Sequence, residues 1–220
     1  MATASNSKWG PKDDDEPAVR ERILEAAFAA FMKNGFAATS TLEIATRARV
    51  SKRELYALVG NKQEMLRACI TERAKRFRVP ANLPVPRDHE GLAQVLASFG
   101  AQLLREVSEP PVIAVFRLAI AEAAHTPEVA RALDSIGREA GRGALRNIVQ
   151  QAETSGLLDG RRPAELAEQF RALLWGDLMV SLLLGVAERP NAREIARRAR
   201  DAAANFLQLH PLSSDASKRH

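Results

Sequence analysis

The sequence predicts an all-α fold. Three observations carry that reading. Apolar residues beyond a proline-rich break at 79–88 recur only at helical periods, and no alternating strand pattern occurs anywhere. Three helix-start signatures also crowd into "STLEIATRARVSKRELYALVGNKQEM", Ser40 to Met65: Ser40 with Glu43, Ser51 with Glu54, and Asn61 with Glu64. In each, a short side-chain oxygen is spaced to cap the N3 amide while the glutamate reaches back to the cap. Helices that short have no stability alone in water. They must pack on one another.

The elements follow in order. Residues 1–16 are polar and poor in apolar groups, which predicts a disordered tail, and 210–220 reads the same way. Pro17 suits the first turn of a helix in which Ile23, Ala27 and Phe31 recur at i, i+4 and i+8. Gly35 stops it and Phe36 is placed to pack back. Three short capped helices come next, the last running from Lys62 to about residue 78. Further helices are expected near 88–107, 110–124, 127–155, 163–187 and 192–209, with Pro127 and Pro163 at two starts and "GLLDGRRP" as a loop. The domains expected are 17–62, a three-helix unit, and 63–209, a larger helical unit.

The 220 residues are 46% apolar and 27% charged, ordinary for a soluble protein. The longest apolar stretch, 172–187, holds an aspartate and is short for a bilayer span. No secretion signal is visible, and a single cysteine, Cys69, excludes an internal disulfide; a cytoplasmic protein is expected. The net charge of +5 is unevenly placed. Residues 17–80 carry 13 Lys and Arg against 6 acids, 81–220 carry 17 against 17, and 1–16 carry two lysines against four acids. All the basic excess lies with the three caps, which points to a polyanion partner or to a well-solvated basic surface.

Two short helices packed at a steep angle form a helix-turn-helix. Leu42, Ile44 and Ala45 can face inwards from the first, Val50 fills the corner, and Leu55 and Leu58 come from the second. "SKRELY" then presents Lys52, Arg53 and Tyr56 outwards, where a recognition helix reads bases in the major groove. Capped helix starts aim amides at phosphates, so Thr39, Ser40, Asn61 and Lys62 are backbone-clamp candidates. The DNA-contact candidates are Thr39, Ser40, Thr41, Arg49, Ser51, Lys52, Arg53, Glu54, Tyr56, Asn61 and Lys62. Glu54 can accept from cytosine or serve as a cap; Tyr56 can pack its ring or offer its hydroxyl.

Residues 21–66, "ERILEAAFAAFMKNGFAATSTLEIATRARVSKRELYALVGNKQEML", resemble the DNA-binding domain of the TetR family of bacterial repressors. The match runs ungapped through Ala27, Phe31, Gly35, Thr39, Ile44, Ala45, Val50, Ser51, Leu55, Tyr56, Lys62 and Leu66. The second half, with "RLAIAEAAHTPEVA" and "ALLWGDLMVSLLLG", is more loosely similar to the AefR-like branch. The resemblance implies a homodimer on a palindromic operator, released by a small molecule, and carries DNA contact onto Thr39, Ser40, Lys52, Tyr56 and Lys62. Three positions depart from the pattern. Arg49 stands where glycine is usual, and a left-handed conformation there would cost arginine about 1 kcal/mol, so either the turn is reshaped or Arg49 is tolerated because its cation reaches a phosphate. Arg53 and Glu54 occupy commonly small positions, and Val59 a commonly aromatic one.

The second part shows no catalytic pattern. Its histidines (His89, His125, His210, His220) have no partner at metal-ligand spacing, no glycine-rich phosphate loop follows a strand, and no nucleophile has an evident base. No enzyme, metal or cofactor is expected. Phe99, Leu103, Phe116, Ile120, Phe170, Leu174 and Trp175 can line an apolar cavity or form plain core, with Arg117, Glu122, His125 and Asp177 as polar groups to orient a ligand. A helix apolar nearly all round, 172–187, needs cover on more than one side. A homodimer seam is therefore expected at Leu173, Leu178 and Leu182 with Ile195, Ala199 and Phe206 of the last helix. The fold class is thus an N-terminal helix-turn-helix domain plus a C-terminal helical ligand-binding and dimerisation domain. The function expected is a TetR-type repressor released from operator DNA by a small, hydrophobic or aromatic effector. The alternatives are a small-molecule-binding helical protein or enzyme with an incidental basic face, and a DNA-binding protein that needs no ligand.

Overall fold

A computed structural model describes residues 16–76, 85–158 and 162–211, with the side chains of 74–76 excepted. Both expected tails lie outside these residues apart from Glu16, His210 and Pro211, as does most of the proline-rich break. Eleven α-helices are present among the described residues: α1 Glu16–Asn34, α2 Thr41–Ala48, α3 Lys52–Leu58, α4 Lys62–Arg76, α5 His89–Val107, α6 Pro110–Glu122, α7 Pro127–Ala132, α8 Glu139–Thr154, α9 Pro163–Trp175, α10 Leu178–Leu184 and α11 Ala192–Leu209. A π-helical segment, Leu133–Arg138, joins α7 to α8. The fold is all-α.

The three starts are built as their spacing requires, with one exception. Ser51 Oγ accepts from the Glu54 amide at 3.1 Å and the Glu54 carboxylate closes the box. Asn61 Oδ1 accepts from the Glu64 amide at 3.0 Å, and Glu64 accepts from the Asn61 amide at 2.7 Å. Ser40 caps α2, but the Glu43 carboxylate takes the Asn34 amide group instead of turning back. Proline begins α6, α7 and α9, where its missing N–H costs nothing.

Two expected long helices are interrupted. The span 127–155 changes pitch through the π-helical segment before α8 begins. The span 163–187 breaks at Gly176, whose φ of 46° and ψ of −127° no helical residue adopts. The break explains why that stretch reads as apolar all round. Each half buries its own stripe, Leu166, Phe170 and Leu174 on α9 and Leu178 and Leu182 on α10.

Two apolar cores result. One joins α1–α4 to α6, α7 and the π-helical segment, around Ile23, Phe31, Ile44, Leu55 and Met65, with Val115, Leu118 and Val129 contributed from beyond α4. The other joins α5, α8, α9, α10 and α11 around Leu96, Phe99, Leu145, Phe170, Leu174 and Phe206. Phe170 and Phe206 meet edge to face with centroids 5.7 Å apart. Each fully buried side chain of this size contributes roughly 1.5–3 kcal/mol. Leu42, expected to face inwards, is 62% exposed. Ile44, Ala45 and Ala48 already fill the α2 stripe that meets α1, and Leu42 lies off that stripe.

Cys69 sits in the first core, its Sγ donating to the Leu24 carbonyl at 3.3 Å. Burial raises its thiol from the ordinary 9.0 to about 11. The folded protein should therefore resist alkylation by iodoacetamide at pH 8.5, while the urea-unfolded chain reacts at the rate of a free thiol. The unfolded thiol ionises first, so stability should also fall as pH rises between 9 and 11 and level off beyond. Rapid labelling of the native protein would contradict the placement.

Candidate DNA-binding face and internal cavity

The helix-turn-helix corner is left-handed. Arg49 ends α2 with φ 55° and ψ 47°, the one non-glycine residue with positive φ among those described. Its amide donates to the Thr46 carbonyl, and the Val50 amide reaches back to Ala45 at 3.0 Å, which satisfies the carbonyls at the end of α2. The turn is thus kept rather than reshaped, and arginine bears its strain.

Beyond the corner, Lys52, Arg53 and Tyr56 are exposed on α3, and Arg49 and Ser51 flank them. The Tyr56 hydroxyl lies 3.3 Å from Thr41 Oγ1 at the start of α2, so the two helices share one polar edge. Glu54 is engaged in the cap of α3. Ser40 and Asn61 are exposed with their side chains spent on caps. Lys52, Arg53, Tyr56, Thr41, Arg49 and Ser51 therefore belong to one surface.

Thr39 and Lys62 do not present their side chains to that surface. Thr39 is 2% exposed, its hydroxyl pointing at the carbonyls of Gly35 (2.7 Å) and Ala30 (3.2 Å). Lys62 Nζ donates to three carbonyls, Phe36 at 2.9 Å, Ala37 at 3.1 Å and Thr39 at 3.1 Å, and lies 4.7 Å from the centroid of the Phe36 ring. An ammonium has three donors, and all are taken. The amides of the same turn face the other way. Glu122 Oε1, at the end of α6, accepts from Phe36 N at 2.9 Å and Ala37 N at 3.1 Å, and its Oε2 accepts from Thr126. Residues 36–39 are thus held between the first residue of α4 and the last of α6. Gly35 makes this approach possible: its φ is 81°, and a Cβ there would stand 3.3 Å from Glu122 Oε1.

A cavity of about 460 Å³ lies farther along the same two helices. Ile70 and Arg73 of α4 and Val112, Val115 and Phe116 of α6 form part of its wall; Leu103, Trp175, Met179 and Leu183 complete the apolar side. That volume suits a small organic molecule. Of the residues expected there, Leu103, Phe116 and Trp175 line it. Phe99, Phe170 and Leu174 do not: each is fully buried in the second core, where α5, α9 and α11 close on one another. Ile120 is 61% exposed and His125 is exposed. Arg117 caps α10 by donating to the carbonyls of Leu182 (2.8 Å) and Leu183 (2.9 Å), and Asp177 accepts from Ser181. The cavity's polar groups are others: Arg73, Glu106, Arg138, Arg142, Glu168 and Arg171. Arg171 and Trp175 are four apart on α9, and Arg138 and Arg142 four apart across the start of α8. That helical spacing was the sequence signal for them.

The expected dimer residues turn inwards. Leu178, Leu182, Ile195, Ala199 and Phe206 are buried within the single chain; only Leu173 is exposed. The stripes were read correctly as apolar, but α5 of the same chain covers α11.

Comparison with known proteins decides the family. Residues 23–69 match the bacterial regulatory proteins of the tetR family, and 94–210 match the C-terminal domain of AefR-like transcriptional repressors. The chain belongs to the TetR family. The HTH-type transcriptional repressor SCO4008 of Streptomyces coelicolor is 38% identical over 95 residues, covering 41% of this chain and 48% of that protein, so the match spans about half of this curated relative. Among solved structures, the flavonoid-responsive regulator FrrA is 28% identical with a TM-score of 0.75, over 88% of this chain and 97% of its own. A TetR transcriptional regulator from Agrobacterium tumefaciens is 27% identical with a TM-score of 0.73, over 90% and 98%. The family is one of non-enzymatic transcriptional regulators. No helix among the described residues is long and apolar enough to cross a membrane.

Two substitutions separate reading from strain at the DNA face. Arg49→Gly should raise stability by up to about 1 kcal/mol in urea unfolding, since glycine adopts positive φ freely. It should also weaken all DNA sequences alike if the Arg49 cation meets phosphate. Arg53→Ala should cost roughly 1–3 kcal/mol at one or two base pairs per half-site in competition binding. Unchanged sequence preference would remove Arg53 from base contact.

Proposed function

We propose that this TetR-family chain is a homodimeric repressor that binds a palindromic operator and is released by a small effector in the α4–α6 cavity. One observation carries the reading: two of the helices that wall the cavity, α4 at its start and α6 at its end, also hold the 36–39 turn of the helix-turn-helix. A molecule that displaces Ile70 or Phe116 acts on levers whose far ends are Lys62 and Glu122. Moving those ends reorients α2 and α3 together, because they are seated through the same turn. The effector must bind the displaced state better, since a ligand indifferent between states shifts nothing. The DNA surface of the repressor is the edge formed by Thr41, Arg49, Ser51, Lys52, Arg53 and Tyr56, with Ser40 and Asn61 supplying helix-start amides.

The dimer seam of this reading lies on the outer faces of α9 and α10. Leu173, Val180, Leu184 and the following Val186 are exposed there, Leu184 by 71% and Val186 by 76%. Apolar groups of that size clustered on adjoining helices fit an isologous two-fold contact. Leu184→Glu should give a folded monomer with weak operator affinity, whereas Phe206→Glu, by burying an unpaired charge, should unfold the chain. A monodisperse monomer for the unmodified protein at micromolar concentration, by light scattering, would contradict the seam.

The functional test is a mobility-shift titration on the DNA upstream of the chain's own coding region, combined with Trp175 fluorescence. Trp175 lines the cavity, and the other of the two tryptophans is removed by Trp9→Phe. An effector should change Trp175 emission and lower operator affinity with one linked concentration dependence, and operator should weaken effector binding by the same factor, about 5–150-fold. Phe116→Trp should fill the cavity and weaken the effector while sparing DNA. Release of DNA by compounds that leave Trp175 unchanged and ignore Phe116→Trp would place the effector elsewhere.

A further inference from the structure

The cavity is not lined evenly. Its apolar groups come mainly from α4, α5, α6, α9 and α10, with Leu133 from the π-helical segment, while Arg138, Arg142 and Arg171 gather where that segment, α8 and α9 meet. Four arginines line it against two glutamates, Glu106 and Glu168. The guanidiniums of Arg142 and Arg171 are drawn inwards, with side chains 24% and 21% exposed. Their acidic partners stay towards solvent: Asp134 is 50% exposed, Glu139 44% and Glu168 60%. Each guanidinium has five N–H donors. Among the described residues Arg171 uses only Nη1, towards Glu168 at 2.7 Å, and Arg142 meets Asp134 at 3.0 Å and Glu139 at 3.8 Å.

Resting on the reading of this cavity as the effector site, we propose that the effector is an amphipathic organic anion. Its carboxylate is held between Arg171 and Arg142, and its aromatic or aliphatic body lies against Trp175, Phe116 and Met179. All three arginines are ion-paired, Arg138 and Arg142 with Asp134, Arg142 also with Glu139, and Arg171 with Glu168, so what an anion in the chamber would meet is their remaining N–H donors rather than an excess of charge. Arg171 is held below its ordinary range, first by burial and then by the repulsion of Arg138 and Arg142, against the pull of Glu168. A planar fork suits a carboxylate, which it can grip through two parallel N–H bonds. The π-helical segment contributes by setting Gly137 beside the chamber and Arg138 at its rim, a local use of that geometry common at ligand sites.

The experiment titrates full-length Trp9→Phe protein at pH 7.5 with matched probes: decanoate against decanol, and 4-phenylbutyrate against 4-phenylbutanol. Trp175 emission reports binding, and operator affinity is measured in parallel. Carboxylates should bind about ten- to a hundredfold more tightly than the alcohols, the range of a charge-assisted hydrogen-bond pair. They should weaken as salt rises. Arg171→Met should abolish the preference by weakening the acids towards the level of the alcohols; Arg171→Lys should keep part of it. Equal melting temperatures of the unliganded variants guard against a folding effect. If the alcohols bind as well as the acids, or Arg171→Met leaves the preference intact, the anion assignment fails and the cavity remains an effector site. If neither series moves Trp175 emission nor operator affinity, both the cavity reading and this inference fall.

Discussion

The 36–39 turn is the constraint on which the rest depends. Its amides are spent on Glu122 and its carbonyls on Lys62, so one short stretch of backbone lies between a buried carboxylate and an ammonium. Removing Glu122 leaves the buried Phe36 amide unpaired, at about 1–3 kcal/mol, whereas the carbonyls that Lys62 holds are part-buried or exposed and lose less. Neither residue touches the other directly in this arrangement. The peptides of Phe36 and Ala37 polarise between them, and a low-dielectric setting strengthens both sets of bonds.

This geometry gives the cavity a mechanical relation to the DNA face. Both α4 and α6 are packed in the first core through Met65, Val115 and Leu118, so they cannot slide freely past α1. Arg117 adds a third attachment by tying α6 to the end of α10, whose Met179 and Leu183 also line the cavity. The walls of the cavity are therefore already coupled to one another. Packed interfaces of this kind have discrete arrangements rather than continuous ones, which is what a two-state switch needs.

Much of the fold was legible in the sequence because caps and helix-initiating prolines are local signals. The starts at Ser51 and Asn61, those at Pro110, Pro127 and Pro163, and the bounds of α11 all follow from short-range chemistry. The departure at Arg49 was legible but its outcome was not: a reshaped turn stood open beside a retained one, and the φ of 55° shows that the left-handed turn is retained. What was not legible is which neighbour an apolar stripe meets. Period tells that Phe170, Leu174 and Phe206 are covered; it does not say whether the cover is a cavity, a second chain or α5 and α11 of the same chain. The polar residues failed similarly. Glu122 and Lys62 were read as ligand and phosphate groups, yet their partners are backbone atoms 86 and 26 residues away in sequence, which no local pattern encodes.

A double-mutant cycle tests this account most directly: urea unfolding of the unmodified protein, Lys62→Met, Glu122→Met, and the two combined. The account predicts that the losses fail to add, with a coupling of about 0.5–3 kcal/mol, because each residue's bonds depend on the peptides the other orients. Additivity within about 0.3–0.5 kcal/mol would mean that α4 and α6 hold the turn independently, and would contradict it.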